Sequence, residues 1–132
     1  MTRVNSDIDP SLLHRRHLVA ELREITMVPA ALSRALRTKS KDAILKSIPE
    51  NFTLNSGHVK FFYNKQKFLI NRFNKLIEEM EQRGYTPDPL RVMAFIGFDP
   101  EFNNDWESTP EADEIIHNRI AFRIAQKPHL YT

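Results

Sequence analysis

The sequence predicts an all-α fold: a single compact domain over residues 1–132, with three main helices and long irregular connections. Three observations carry this expectation. Only three glycines punctuate the 132 residues. No segment sustains the apolar–polar alternation of a half-buried strand. Three stretches instead place apolar residues three or four apart, which lines one face of a helix.

Residues 2–9 read as an irregular arm. Asp9-Pro10 starts the first helix, because Asp caps free backbone N–H groups and Pro tolerates the first helical position. Leu18, Leu22, Ile25, Leu32 and Leu36 form one stripe toward Arg37, and Pro29 predicts a kink or break within it. Residues 39–57 read as a loop with a short apolar patch at Ile44-Leu45. The second helix covers 59–82, with Phe62, Leu69, Phe73, Leu76 and Met80 on one side and Arg83-Gly84 as its stop. Pro87, Pro89 and Pro100 make 85–108 a long connection with short turns. Thr109-Pro110-Glu111 starts the third helix, and Pro128 ends it. Ile116, Ile120 and Ile124 share one ridge of that helix; Arg119, Arg123 and Lys127 share the next.

Composition excludes several classes of function. With no cysteine there is no disulfide, thiolate zinc site or iron–sulfur cluster, which fits the reducing cytoplasm expected as its location. No apolar run approaches the roughly 20 residues of a membrane span, and no secretion signal opens the chain. No cofactor, metal or membrane partner is expected, and a monomer is. The formal net charge is only +2, but it is unevenly spread. Residues 14–46 carry Arg15, Arg16, Arg23, Arg34, Arg37, Lys39, Lys41 and Lys46 against Glu21, Glu24 and Asp42. Every charged residue from Asp99 to Glu114 is acidic. One basic and one acidic face suit a polyanion on the basic side.

Two features point to chemistry. Thr2 is small, so removal of Met1 exposes its α-amine, which titrates near pH 8, about two units below a lysine. A neutral amine is the nucleophile of Schiff-base chemistry on a sugar carbon. On the first helix His17 and Glu24 share a side, Arg16, Arg23 and Arg34 flank them, and the apolar stripe lies largely opposite. From Pro10 to Glu24 a helix rises about 21 Å, and the arm spans at most about 29 Å, so the amine can reach the carboxylate. Each residue also has a plain account: a surface ion pair for Glu24, a structural role for His17, a solvated face for Arg119 and Arg123. Composition and spacing alone carry the reading to a small helical domain with a polyanion-binding face.

The strings MTRVN, HLVAELREI, SGHVKFFYNKQKFL and IAQKP take the reading further. Together they resemble the phage-type pyrimidine-dimer DNA glycosylases with abasic-site lyase activity, historically called endonuclease V. The likeness is strongest over residues 1–85. It implies a compact all-helical fold and double-stranded DNA with damaged bases as substrate. It implies that Thr2 supplies the amino nucleophile and Glu24 the essential carboxylate. Arg3 and Arg23 match family arginines that hold DNA, His17 matches an active-site histidine, and Arg119 and Arg123 fall at backbone-contacting positions. Arg16 stands where the family borders DNA with other groups, and is expected to bind it. Met27 replaces a substrate-binding arginine, and the proline sits later than in the family. The expected lesion is the ultraviolet-induced cyclobutane pyrimidine dimer. A different damaged base, or a non-catalytic DNA-binding module, remains the alternative. Within GHVKFFYNK, His58 reads as a structural hydrogen-bonding group, and Lys60 and Lys65 as candidate phosphate contacts.

Overall fold

The computed structural model describes residues 4–132. Among these are six α-helices and no β-strand: α1 Arg15–Glu24, α2 Met27–Thr38, α3 Lys41–Lys46, α4 Gly57–Phe61, α5 Gln66–Gln82 and α6 Pro110–Gln126. The chain is all-α, as the sparse glycines and helical spacing predict. Four 3-10 turns, Pro10–Leu12, Pro89–Phe95, Pro100–Phe102 and Pro128–Tyr131, fill the connections. Each begins with a proline, whose fixed φ suits a first helical position. Asp9, Asp88 and Asp99 cap three of them by accepting the N–H two residues on.

The expected helix from Pro10 to Arg37 is three separate elements. The break falls at Ile25–Thr26, ahead of Pro29 rather than at it. A proline ring clashes with the carbonyl four residues earlier and lacks an N–H. Ile25 holds that fourth place, so α1 ends there. Pro29 then sits in the first turn of α2, where a missing N–H costs nothing. Arg91 braces the corner, its guanidinium donating to the Arg23 carbonyl at 3.2 Å and to Thr26 Oγ1 at 2.7 Å.

The predicted loop 39–57 contains α3, whose Ser40 cap accepts from the Ala43 N–H at 3.1 Å. The expected helix 59–82 is broken between Phe61 and Gln66. Its interruption is tertiary: Asn104 pairs with the Asn64 carbonyl through both backbone and side chain, and Lys65 bridges to Asn103. Lys65 Nζ folds back onto the Phe61 carbonyl at 2.7 Å and lies 3.9 Å from the centre of the Phe61 ring. That lysine is therefore engaged by the protein interior, contrary to its reading as a phosphate contact; Lys60 is exposed. The third helix has the predicted cap, with Thr109 Oγ1 accepting from Ala112 N–H, and ends before Pro128.

α5 is the central element, packing against α1 and against the 89–95 turn. Leu69, Phe73 and Leu76 on its inner face are fully buried. An aromatic cluster sits at its start: Phe62 meets Phe52, Phe61 and Trp106 edge-on and stacks with Phe68. Arg83, at the far end, donates to the carbonyls of Pro10 and Leu13 and so holds the entry to α1. The basic and acidic segments also meet, because Lys41 pairs with Glu101 at 2.8 Å and Asp99 at 3.4 Å.

The arm is irregular, but it is no loose appendage. Val4, Asn5, Ser6 and Ile8 are all buried. Ser6, at φ 54°, donates to the Asp113 carboxylate at 2.9 Å and binds the arm to α6.

Burial lowers the Lys65 pKa to about 8. The folded value lies below the unfolded one, near 10.4. The unfolded chain therefore binds more protons between those limits, and this group adds stability as pH rises from about 8 to about 10.4. Thermal unfolding of the wild type and Lys65→Met across that range is expected to show the difference in Tm moving in favour of the wild type as pH rises. A constant difference would refute this assignment.

Candidate active-site cleft

α1 carries two faces of opposite purpose. Leu18, Leu22 and Ile25 point into the core. Arg16, Ala20, Arg23 and Glu24 follow at helical spacing on the other side. They form one wall of a cleft of about 360 Å³, with His17 on its floor. The opposite wall comes from Arg123 and Gln126 of α6, then Lys127, Leu130 and Tyr131. The cleft thus joins one carboxylate, Glu24, with the cations Arg16, Arg23, Arg123 and Lys127. Such a surface attracts phosphate and presents a single acid to what the phosphates hold.

The wall from the C-terminal turn is bonded to α1. Arg16 Nε donates to the Leu130 carbonyl at 2.9 Å. The Tyr131 hydroxyl lies 3.1 Å from His17 Nε2, and its ring packs against His14 and His17 with centroids 4.9 and 5.0 Å apart. His14 caps α1, its Nδ1 accepting from Arg16 N–H at 3.1 Å. That cap needs a neutral ring nitrogen. Desolvation, then the charges of Arg15, Arg16 and Arg83, push the His14 pKa down and keep it neutral.

Of the residues singled out in the sequence, Arg16, His17, Arg23, Glu24 and Arg123 line this one cleft. Arg119 does not. It is half-buried one turn earlier on α6, with Nε shut off from solvent and unpartnered among the described residues. Residues four apart drift by about 40° around a helix, so the ridge of Arg119, Arg123 and Lys127 turns away from the cleft at its first member. Thr2 and Arg3 lie outside the described residues.

The described part of the arm is bonded to the helix that carries the first wall, on its buried side. Asn5 donates twice to the Glu21 carboxylate: backbone N–H to Oε2 at 3.2 Å, and side chain to Oε1 at 2.8 Å. Arg72 of α5 grips the same carboxylate, Nε to Oε2 at 2.8 Å and Nη2 to Oε1 at 2.9 Å. Its Nη1 donates to the Ile8 carbonyl. Glu21 and Arg72 are each 1% exposed. Burial pulls the Arg72 pKa down, but the Glu21 charge and hydrogen bonds outweigh it and hold the group charged. Val4 N–H donates to His58 Nε2 at 2.8 Å, which requires His58 Nδ1 to carry the proton it gives to the Thr53 carbonyl, also at 2.8 Å. His58 is therefore a structural hydrogen-bonding group, as read from the sequence.

Glu21, Arg72 and Asn5 were not picked out by motif. Their signal is a charge on an apolar stripe: Glu21 falls between Leu18 and Ile25, and Arg72 between Leu69 and Phe73. Buried charges of opposite sign on two packed helices need each other.

Two hollows elsewhere, of about 590 and 420 Å³, share Asp7, Arg72 and Lys75. Asp105 and Glu107 rim one, and Asp9, Glu78 and Glu79 the other. Their acidic rims repel a polyphosphate, and with Glu21 neutralising Arg72 they have little to hold one. Of these three hollows, the Arg16–Arg123 cleft has the charge that suits a polyanion.

A family model described as pyrimidine dimer DNA glycosylase matches residues 1–93. The chain belongs to that family. Membership makes it a DNA repair glycosylase whose substrate is DNA with pyrimidine dimers. The match takes in the arm, all of α1 and α5, and the first wall of the cleft.

Counterion release makes a phosphate contact visible in salt dependence. Arg123→Ala is expected to weaken binding to damaged and undamaged duplexes alike and to reduce the slope of log K against log salt by about 1. A titration with an unchanged slope would put Arg123 off the DNA path.

Proposed function

We propose that this glycosylase is also an abasic-site lyase, with the α-amine of Thr2 as nucleophile and Glu24 as the catalytic carboxylate. One observation carries the reading: Glu24 lines a cationic cleft one helical turn from Glu21, the residue to which the arm is bonded. Three residues of chain from Asn5 back to Thr2 cover at most about 10 Å, and one turn of helix rises about 5.4 Å. The amine of processed Thr2 has the reach to work beside Glu24.

The chemistry follows from that pairing. The amine lone pair bonds to C1′ of the deoxyribose. The C1′–base bond breaks and its electron pair leaves with the base, which takes up a proton. The nitrogen loses a proton, the ring oxygen departs from C1′ with its bonding pair and takes up a proton as the 4′ hydroxyl, and a protonated imine is left. Loss of a proton from C2′ expels the 3′ phosphate by β-elimination. Glu24 stabilises positive charge on the sugar and carries protons between these atoms. Cationic neighbours favour the neutral amine, while Glu24 favours the charged form. Arg16, Arg23 and Arg123 hold the flanking phosphates, as would Arg3, and His17 borders the sugar. Arg119 would act beyond the cleft, on a more distant phosphate. The pyrimidine dimer is the lesion.

Borohydride reduces an imine and fixes the protein to the DNA. Protein beginning at Thr2 is expected to form this adduct on dimer and abasic duplexes, with the cross-link mapped to residue 2. Protein retaining Met1 is expected to trap at least tenfold less. Glu24→Gln is expected to lose most strand scission, about 100-fold or more by analogy with other acid–base residues, and to bind DNA normally. Absence of any adduct from processed protein on both duplexes would leave a glycosylase without the amine mechanism.

A further inference from the structure

The buried Glu21–Arg72 pair lies outside the cleft, yet three of its five hydrogen bonds among the described residues go to the arm. Both carboxylate oxygens of Glu21 accept from Asn5 and from Arg72 together. Arg72 reaches past Glu21 to the Ile8 carbonyl. His58 receives the Val4 N–H, and its other nitrogen is tied to the Thr53 carbonyl. Three separate parts of the fold, α1, α5 and α4, thereby fix the backbone at residues 4, 5 and 8. A pair serving stability alone has no need of this: hydrophobic residues of similar volume often do as well. What the charges add is direction, since a carboxylate locked by a buried guanidinium accepts at defined positions.

We propose that Glu21, Arg72, Asn5 and His58 are positioning residues that hold the arm in one register over α1, and so set where the terminal amine meets the sugar. The proposal rests on the reading of the Thr2 amine as nucleophile. Misplacement by about 1 Å costs a reacting group on the order of 100-fold in rate. An amine on a loose tether loses that advantage even when DNA binds as before. Asn5 is the most selective handle. Its side chain contributes one bond to Glu21, and its loss leaves the Glu21–Arg72 pair and the Asn5 backbone bond intact.

The experiment uses the full chain beginning at Thr2. Single-turnover borohydride trapping on saturating abasic duplex is compared between the wild type and Asn5→Ala. Alongside it run Kd for a duplex with a tetrahydrofuran abasic analogue, and Tm. Asn5→Ala is expected to trap at least tenfold more slowly, with Kd within twofold and Tm still well above the assay temperature. A trapping rate equal to the wild type, or a slowing matched by an equal loss of affinity, would overturn the positioning role. Glu21→Leu/Arg72→Met fills the same volume without charge; it is expected to fold, bind and trap slowly, and wild-type trapping by it would also overturn the proposal. Amide hydrogen exchange on the unmutated protein supplies a check that needs no variant. The Val4 and Asn5 amides are expected to be as protected as those of α5, and fast exchange there would refute a fixed arm. If the wild type itself forms no adduct, the amine reading fails; if the wild type traps and the variants trap equally well, only the positioning proposal fails.

Discussion

The structure turns on the ion pair between Glu21 and Arg72. Two charges enclosed in an apolar core are costly unless each satisfies the other and the remaining donors find acceptors. Here they do: the carboxylate takes two bonds from Arg72 and two from Asn5, and Arg72 adds the Ile8 carbonyl. The pair therefore joins α1 to α5 and threads the arm between them in one step. Loss of either partner strands a charge, at a cost of about 3–5 kcal/mol. That is a large share of the 5–15 kcal/mol that holds a typical domain folded.

From this anchor the functional geometry follows outward. α1 has an inner stripe of Leu18, Leu22 and Ile25 and an outer stripe of Arg16, Ala20, Arg23 and Glu24. Fixing the inner stripe against α5 fixes the direction in which the outer one points. Arg91 then stiffens the end of α1 at Arg23 and Thr26, while Tyr131 and the Leu130 carbonyl hold its beginning at His17 and Arg16. A helix of ten residues, Arg15–Glu24, is marginal in isolation. Braced at both ends, it presents Glu24 to the cleft in a defined place.

Much of this was legible in the sequence because it depends on helical phase alone. The caps at Asp9 and Thr109, the stop at Arg83-Gly84 and the clustering of Arg16, His17, Arg23 and Glu24 all follow from residue type and spacing. What escaped depends on contacts distant in sequence. Nothing between Phe62 and Lys65 breaks a helix locally; Asn103 and Asn104 do so from the far side of the fold. Pro29 betrayed a break but not its place, because its clash acts four residues upstream. Arg119 shares a ridge with Arg123, yet slow rotation around α6 carries it off the cleft. Glu21 entered only as one charge in the basic segment, because its partner, Arg72, lies 51 residues away.

The cleft has one more property that comes from its walls rather than its residues. His17 and Tyr131, which meet across it, are 114 residues apart in the chain. The wall that carries the carboxylate is therefore made early in synthesis, and its counterpart only after α6. During translation, which runs at about 5–20 residues per second, the nascent chain has its acid well before it has a groove. The groove is closed only when the turn at Pro128–Tyr131 docks onto α1.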